Sequence, residues 1–484
     1  MKIQLAAKPL NEIKSEYIVV AKFDEQSISE KLPLIADFER DNPKFGKLYE
    51  TAQIYHPEQK IILVGAGKKD QFDIAKLQNW FGTAAKHLLN KTKLATIIVP
   101  LLDQFEAEQI TQASAIGIQI ASFNPTPELK SDKDESKLAT IELVISKATN
   151  GYQQGLKQGL IMADGINLIR RLGDLPPNIM TPTFFLSEAK KVAKESKLKI
   201  TILTETLAKK KGMGAFIGVA QGSDEPSYMI ALEYTGDIRN KEKWGLVGKG
   251  ITLDTGGLSI KPASSIPEMK YDMLGAATAL AAISVLAKLG VKKNIVAVMA
   301  VTENMPSGKA MRPSDVIKSY SGKTIEIQNT DAEGRLVLID GMTYAQRDFK
   351  ANKIIDIATL TGAMVVALGD LITGVFSNND DFTKQLLKAS AEVGERMYPL
   401  PMDEEFAEYL KSDFADIQNS GGGSMGHRTA GSITAAKFLE KAVENNNPWI
   451  HLDIAGTAWD LKSKPYRPIG ATGVALKTLV KLII

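Results

Sequence analysis

The sequence predicts an α/β protein of two domains, a smaller N-terminal α/β domain and a larger C-terminal one built on a mostly parallel central sheet. Three observations carry this expectation. The chain has 484 residues, too many for one ordinary core. Short runs of β-branched and aliphatic residues alternate with helix-like segments along its length. In the second half those runs are continuously apolar, as in strands covered on both faces.

Taken in order, residues 17–21, 61–64, 95–99 and 141–145 read as strands of the first domain, residues 1–150. Gly65-Ala66-Gly67 resembles the opening of a phosphate loop, but Asp70 stands where the third glycine belongs, so a turn is expected. The polar segment 130–137 reads as an exposed loop. Residues 152–172 carry a helical pattern ending at Gly173, and Pro176, Pro177 and Pro182 follow, so 151–180 reads as a linker helix and entry segment. The C-terminal domain, 181–484, shows buried-type strands at 229–232, 295–301, 354–360 and 450–454. The apolar run 273–287 stops at Lys288, short of the roughly 20 residues that cross a bilayer; it reads as a buried helix, and no membrane partner is expected.

Composition narrows the function. Hydrophobic residues at 44% and charged residues at 24% are ordinary for a soluble globular chain. A formal charge of +3 argues against a dedicated nucleic-acid surface, and Lys209-Lys210-Lys211 reads as a solvated helix face. The absence of cysteine excludes disulfides, thiolate zinc sites and a cysteine nucleophile, and fits a cytoplasmic protein. Lys2, Lys8, Glu12 and Lys14 interrupt the first apolar patches, so no signal-peptide core is read there.

Chemistry concentrates in three polar clusters at predicted strand ends. One is 248–257 with Lys249 and Asp254, followed by Lys261-Pro262; the second is Met269-Lys270-Tyr271-Asp272; the third is Asn329-Thr330-Asp331-Ala332-Glu333-Gly334-Arg335-Leu336. Each has a structural reading. Thr330 and Glu333 fit a helix capping box, Asp254 before Gly256-Gly257 fits a turn, Asp272 fits a cap on the following helix, and both lysines fit a surface. Together they supply four carboxylates, two lysines and an arginine. Four ionised acids cannot share a dry pocket without strong repulsion, so convergence would call for divalent cations. Carboxylates that bridge two metals about 3.5 to 4 Å apart serve to activate water and polarise a carbonyl or phosphoryl oxygen. A hydrolase is the leading class.

These clusters, with Asn178 and Pro182, 358–363 and 451–456, resemble the leucyl aminopeptidases of peptidase family M17. The resemblance covers residues 165–484, and the first domain is only loosely similar to the family's variable, macro-like N-terminal domain. It implies two divalent metal ions, zinc or manganese. Lys249, Asp254, Asp272 and Glu333 would hold one, and Asp254, Asp331 and Glu333 the other. Lys249 ligates only if burial and the cations drive its pKa down. A ligand set without histidine suits manganese or magnesium on hardness.

The resemblance also implies a mechanism. One metal takes the free α-amino group of a peptide substrate, a metal-bound hydroxide attacks the first carbonyl, and Lys261 stabilises the oxyanion. Arg335 would hold a bicarbonate that shuttles the proton. Met269, Thr359, Gly362 and Ala455 would line an apolar pocket suited to leucine, with Leu360 offering its backbone carbonyl. A homohexamer is implied as well. The alternatives are a two-metal phosphohydrolase and a non-enzymatic DNA-binding or scaffold protein on the same fold. Three positions depart from the family pattern: Thr255 for serine, and Leu274 and Ser314 for glycine. His56, His87, His427 and His451 fall outside the ligand set, with His427 beside the glycine-rich loop 421–426, expected to be a mobile surface loop.

Overall fold

The computed structural model describes residues 1–9, 12–24, 26–30, 32–57, 59–131, 136–145, 149–421 and 429–484. Residues 132–135 of the expected polar loop, and 422–428 with His427, lie outside the described residues. Two compact units emerge: Met1–Asn167 with Leu461–Ile469, and Leu168–Asp460 with Gly470–Ile484.

The first unit contains β1 (Lys2–Ala7), β2 (Tyr17–Phe23), α1 (Ala36–Asp41), β3 (Thr51–Tyr55), β4 (Lys60–Gly67), α2 (Ile74–Lys86), β5 (Leu94–Ile98), α3 (Ala107–Ser122) and β6 (Thr140–Ile145). The sheet order is β1-β6-β5-β2-β4-β3, parallel except for the β3–β4 pair. Helix α2 starts at Asp73, whose side chain accepts from the Lys76 amide at 2.8 Å. It buries Leu77, Trp80 and Phe81 in one core with Ile62, Val64 and Leu143. Gly65-Ala66-Gly67 is not the expected turn. It lies inside β4, where a Cβ at Gly65 would collide with the Lys47 carbonyl, so the glycine serves close backbone approach.

Helix α4 (Asn150–Asp174) is followed by α5 (Pro182–Glu195), β7 (Lys199–Thr204), α6 (Glu205–Lys211), α7 (Gly214–Ala220), β8 (Tyr228–Thr235), β9 (Lys243–Asp254), α8 (Leu274–Leu289) and β10 (Asn294–Asn304). Then come β11 (Val316–Lys318), β12 (Thr324–Glu326), α9 (Gly334–Arg347), β13 (Lys353–Ala358), α10 (Gly362–Leu368), β14 (Thr373–Ser377) and α11 (Asp380–Glu392). The chain closes with β15 (Met397–Pro399), β16 (Ile417–Gln418), α12 (Gly431–Glu440), β17 (Trp449–Asp453), β18 (Trp459–Asp460), β19 (Gly470–Ala471) and α13 (Leu476–Ile483).

The main sheet of this unit runs β15-β14-β17-β13-β9-β10-β8-β7. Its four central strands, β17, β13, β9 and β10, are mutually parallel, and antiparallel pairs flank them. Every residue of β10 is buried, which accounts for the unbroken apolar run in the sequence. Helix α8 packs on β9 and β10, as does α9. The stretch Ile266–Leu289 is apolar and long enough to resemble a membrane span, but 83% of its apolar 18-residue window is buried inside the fold, as the core-helix reading expects. Because the central strands are parallel, their carboxyl ends share one edge of the sheet, the edge where ligand sites of open α/β sheets form.

Candidate active site

Four of the site's supports leave the sheet at that edge. Asp254 ends β9, Asn304 ends β10, Thr359 to Gly362 follow β13, and Ala455 follows β17. Asp272 comes from the turn before α8, and Asp331 and Glu333 from the loop before α9. The three sequence clusters therefore converge, and two ammonium groups stitch them together.

Lys249 Nζ lies 2.8 Å from Asp272 Oδ2 and 2.8 Å from Glu333 Oε1, and donates to the Thr359 carbonyl at 3.2 Å. Lys261 Nζ lies 2.8 Å from Asp254 Oδ2 and 2.5 Å from Asp331 Oδ1. Each lysine bridges two carboxylates, so with all four ionised the acids would outnumber the two ammoniums by two. Asp254, Asp272 and Glu333 each offer a carboxylate oxygen within 4.8 Å of the others. Glu333 Oε2 is buried and has no hydrogen-bond partner among the described residues. An orphaned carboxylate oxygen in an acidic, buried cluster fits a hard divalent cation.

The titration behaviour follows from burial and crowding. Burial first, then the Asp254 charge, pushes the Glu333 carboxyl up to about 7. Asp272 moves well above the usual carboxylate range by burial, against the pull of Lys249, and Asp331 rises by burial and by Asp254. Burial alone would lower the Lys249 pKa, but Asp272, Glu333 and Asp254 outweigh it, and the net shift is upward. The depression that ligation requires is tied to bound cations; the carboxylates by themselves stabilise the ammonium. Lys261 is raised for the same reason.

The structural readings fare unevenly. Asp254 does make the turn, accepting from the Gly256 amide at 2.9 Å. No capping box forms: α9 starts at Gly334, Glu333 makes no side-chain cap, and Thr330 Oγ1 instead donates to the Gly256 carbonyl at 2.6 Å while accepting from the Ser259 amide at 2.7 Å. Asp272 does not cap α8 either, since its Oδ1 accepts from Thr359 Oγ1 at 2.7 Å. Neither lysine is a surface cation; Lys249 is 3% exposed.

A cleft of about 570 Å³ opens over this centre. Lys249, Asp254, Lys261, Asp272 and Asp331 form its polar side, and Met269, Thr359, Leu360, Gly362 and Ala455 also line it. Trp459, stacked on Tyr271 at 5.2 Å, and Glu268 join the lining without having been singled out. Arg335 faces a second cavity of about 740 Å³ that shares Asp331, Leu360 and Gly362 with the first. Its Nη1 donates to the Asn419 carbonyl at 2.7 Å, its Nε has no partner among the described residues, and burial lowers the guanidinium pKa to about 10. Leu274 is not in either lining; its side chain packs against Gly173.

Supporting asparagines escaped the sequence reading. Asn304 Nδ2 donates to Asp254 Oδ1 at 2.8 Å and to the Thr330 carbonyl at 3.1 Å. Asn419 Oδ1 accepts from the amides of Gln328 and Asn329, and its Nδ2 donates to the Asn329 carbonyl at 2.7 Å. Gly334 leaves the room that Lys249 fills, since a Cβ there would stand 2.7 Å from Nζ.

Two solved structures share this architecture. A tomato leucine aminopeptidase mutant matches with a TM-score of 0.88 at 30% identity, covering 100% of this chain and 96% of that one. The bottromycin maturation enzyme BotP in complex with Mn matches with a TM-score of 0.87 at 28% identity, covering 97% and 98%. Fold and cleft define a hydrolytic enzyme of the aminopeptidase class. Residues 167–480 match the catalytic domain of the cytosol aminopeptidase family and residues 38–133 its N-terminal domain. A probable cytosol aminopeptidase of Solibacter usitatus is 38% identical over 488 residues, covering 100% of this chain and 99% of that protein; one of Paraburkholderia xenovorans is 42% identical over 436 residues, covering 88% and 82%. The chain belongs to the cytosol aminopeptidase family, peptidase family M17.

Proposed function

We propose that this chain releases N-terminal amino acids from peptides, leucine and other apolar residues best, at a centre that holds two divalent metal ions, zinc or manganese. The observation that carries the reading is the unpartnered, buried Glu333 Oε2 among four carboxylates with only two ammoniums between them. Lys249, Asp254, Asp272 and Glu333 would hold one ion, and Asp254, Asp331 and Glu333 the other. When bound, such ions supply Lewis acidity, lowering the pKa of water and polarising the scissile carbonyl. The likeness to an enzyme solved with Mn supports this.

The chain's own groups do the rest. Lys261, held on the polar side of the cleft by Asp254 and Asp331, donates to the carbonyl oxygen as negative charge develops there. Arg335, with an unused Nε in a buried pocket, would hold a bicarbonate, a group that could supply proton-transfer chemistry near the leaving amine. Met269, Thr359, Gly362 and Ala455 receive the first side chain, and methionine can repack around it. Leu360 offers its carbonyl to the substrate amide. The names of the relatives support a cytoplasmic placement, and a homohexamer is what the sequence resemblance implies.

Leucine 4-nitroanilide is the test substrate: it is cleaved once manganese is added. A folded, metal-loaded protein that hydrolyses phosphate esters and no aminoacyl substrate overturns the reading in favour of a phosphohydrolase. One that binds DNA and hydrolyses neither fits a scaffold.

A further inference from the structure

The segment Thr359-Leu360-Thr361 touches the centre at two points. Its first residue donates through Oγ1 to Asp272 at 2.7 Å and accepts through its carbonyl from Lys249 at 3.2 Å. The same peptide unit that carries the Thr359 carbonyl carries the Leu360 N–H. That N–H donates to Asp453 Oδ1 at 3.1 Å. One peptide plane is therefore clamped between a centre lysine on its oxygen side and Asp453 on its nitrogen side.

Asp453 is 1% exposed and uses both oxygens. Oδ1 also accepts from the Ala455 amide at 3.1 Å, and Oδ2 accepts from Thr361 Oγ1 at 2.7 Å. Thr361 Oγ1 also meets Ser432 Oγ at 2.7 Å and caps α10 by accepting from the Met364 amide at 3.2 Å. The carboxylate thus ties the end of β13 to the end of β17, whose Ala358 and Asp453 are register partners. Burial raises the Asp453 carboxyl, while the nearby His451 and these donors pull against the rise. Below it, His451 Nδ1 lies 2.6 Å from Asp356 Oδ1, and Trp449 Nε1 donates to Asp356 Oδ2 at 2.7 Å, so the ground under the clamp is itself hydrogen-bonded.

We infer that Asp453 is a positioning residue for the centre: by fixing the Thr359–Leu360 peptide it holds Lys249 and Asp272 in place, and by binding Ala455 it fixes the opposite wall of the cleft. The inference rests on the proposed aminopeptidase reading. Asp453 lines neither cavity, so it acts through the segment it clamps.

The test compares Asp453→Leu, which removes every acceptor at similar volume, with Asp453→Asn, which keeps one at Oδ1. Hydrogen exchange is followed in the metal-free protein over 358–363, and kcat and KM for leucine 4-nitroanilide in the manganese-loaded protein. Hydrogen bonds to a charged group are strong enough that losing them in Asp453→Leu lowers kcat by about tenfold or more. Exchange rises in 358–363 and not in the first unit. Asp453→Asn loses less than about threefold. Folded Asp453→Leu with wild-type kcat and wild-type exchange over 358–363 overturns the inference. Where Asp453→Leu does not fold, Thr361→Val decides: a lower kcat with faster local exchange supports the clamp, and wild-type values for both refute it. Failure of the aminopeptidase reading is separate, because it shows as a wild type that cleaves no leucine 4-nitroanilide, while the exchange result stands by itself.

Discussion

Gly334→Ala isolates one contact at the heart of the site. A Cβ at this position would lie 2.7 Å from Lys249 Nζ, 2.7 Å from its Cε and 2.8 Å from its Cδ. Contacts of that kind relax to about 3.5 Å, so the lysine end must move by roughly 0.8 Å. It has no slack to do so freely, being held 2.8 Å from both Asp272 and Glu333. Stretching either ion pair forfeits most of a charge-assisted hydrogen bond, a destabilisation of about 1.5–3 kcal/mol. Without the clash, alanine at this helical position would instead stabilise by up to about 1 kcal/mol, so the sign of the change is diagnostic. Urea unfolding of the metal-free protein reads that sign. A displacement of this size at a reacting centre also lowers kcat/KM for leucine 4-nitroanilide by about 100-fold. A variant as stable as wild type or more so, with kcat/KM within about twofold, would refute the packing argument.

Other outcomes follow from the same geometry. Ser314 holds a φ of 74°, and its amide donates to the Ile327 carbonyl at 2.7 Å; Ser314→Gly relieves the left-handed strain and raises the urea midpoint, by about 0.5–1 kcal/mol in stability. Asp340 is fully buried, and burial pushes its carboxyl up to about 7 against the pull of the Phe216, Tyr320 and Ala215 amides. Between its unfolded value near 4 and that folded value the native state holds the extra proton, so this group's contribution to stability falls as pH rises across about 4 to 7 and is flat above. The stability gap between wild type and Asp340→Asn, measured in urea across that range, falls with pH in step; a gap independent of pH contradicts it. Asp254→Ala and Glu333→Gln lose metal by elemental analysis, whereas Lys261→Ala and Arg335→Ala keep metal and lose turnover. Asp254→Ala with full metal content and full rate would remove the bridging role.

Much of this was legible because the family's chemistry sits in short motifs. The segments 248–257, 269–272 and 329–336 each carry a carboxylate beside a strand or helix end, and the continuous apolar runs announced β8, β10, β13 and β17. What was not legible depends on partners far away in sequence. Arg335 finds the Asn419 carbonyl 84 residues on, and Asp254 finds Asn304 across 50. Thr330 and Glu333 have capping-box spacing, yet tertiary partners at Gly256, Ser259 and Lys249 claim both side chains first. The sign of the Lys249 shift needed the count of acids around its ammonium, which spacing alone does not supply. Short strands such as β14 and β15, with few apolar residues each, left too weak a periodic signal to be read.

The proposed lysine–carboxylate centre would work by holding divalent cations for a substrate with a free amino end. The direct measurement strips the protein with chelator, titrates manganese back, and follows leucine 4-nitroanilide beside its N-acetylated counterpart. Activity is lost on stripping, returns to saturation at about two ions per chain, and is confined to the substrate with the free amine. Cleavage that survives stripping, or that proceeds equally on the acetylated substrate, would contradict it.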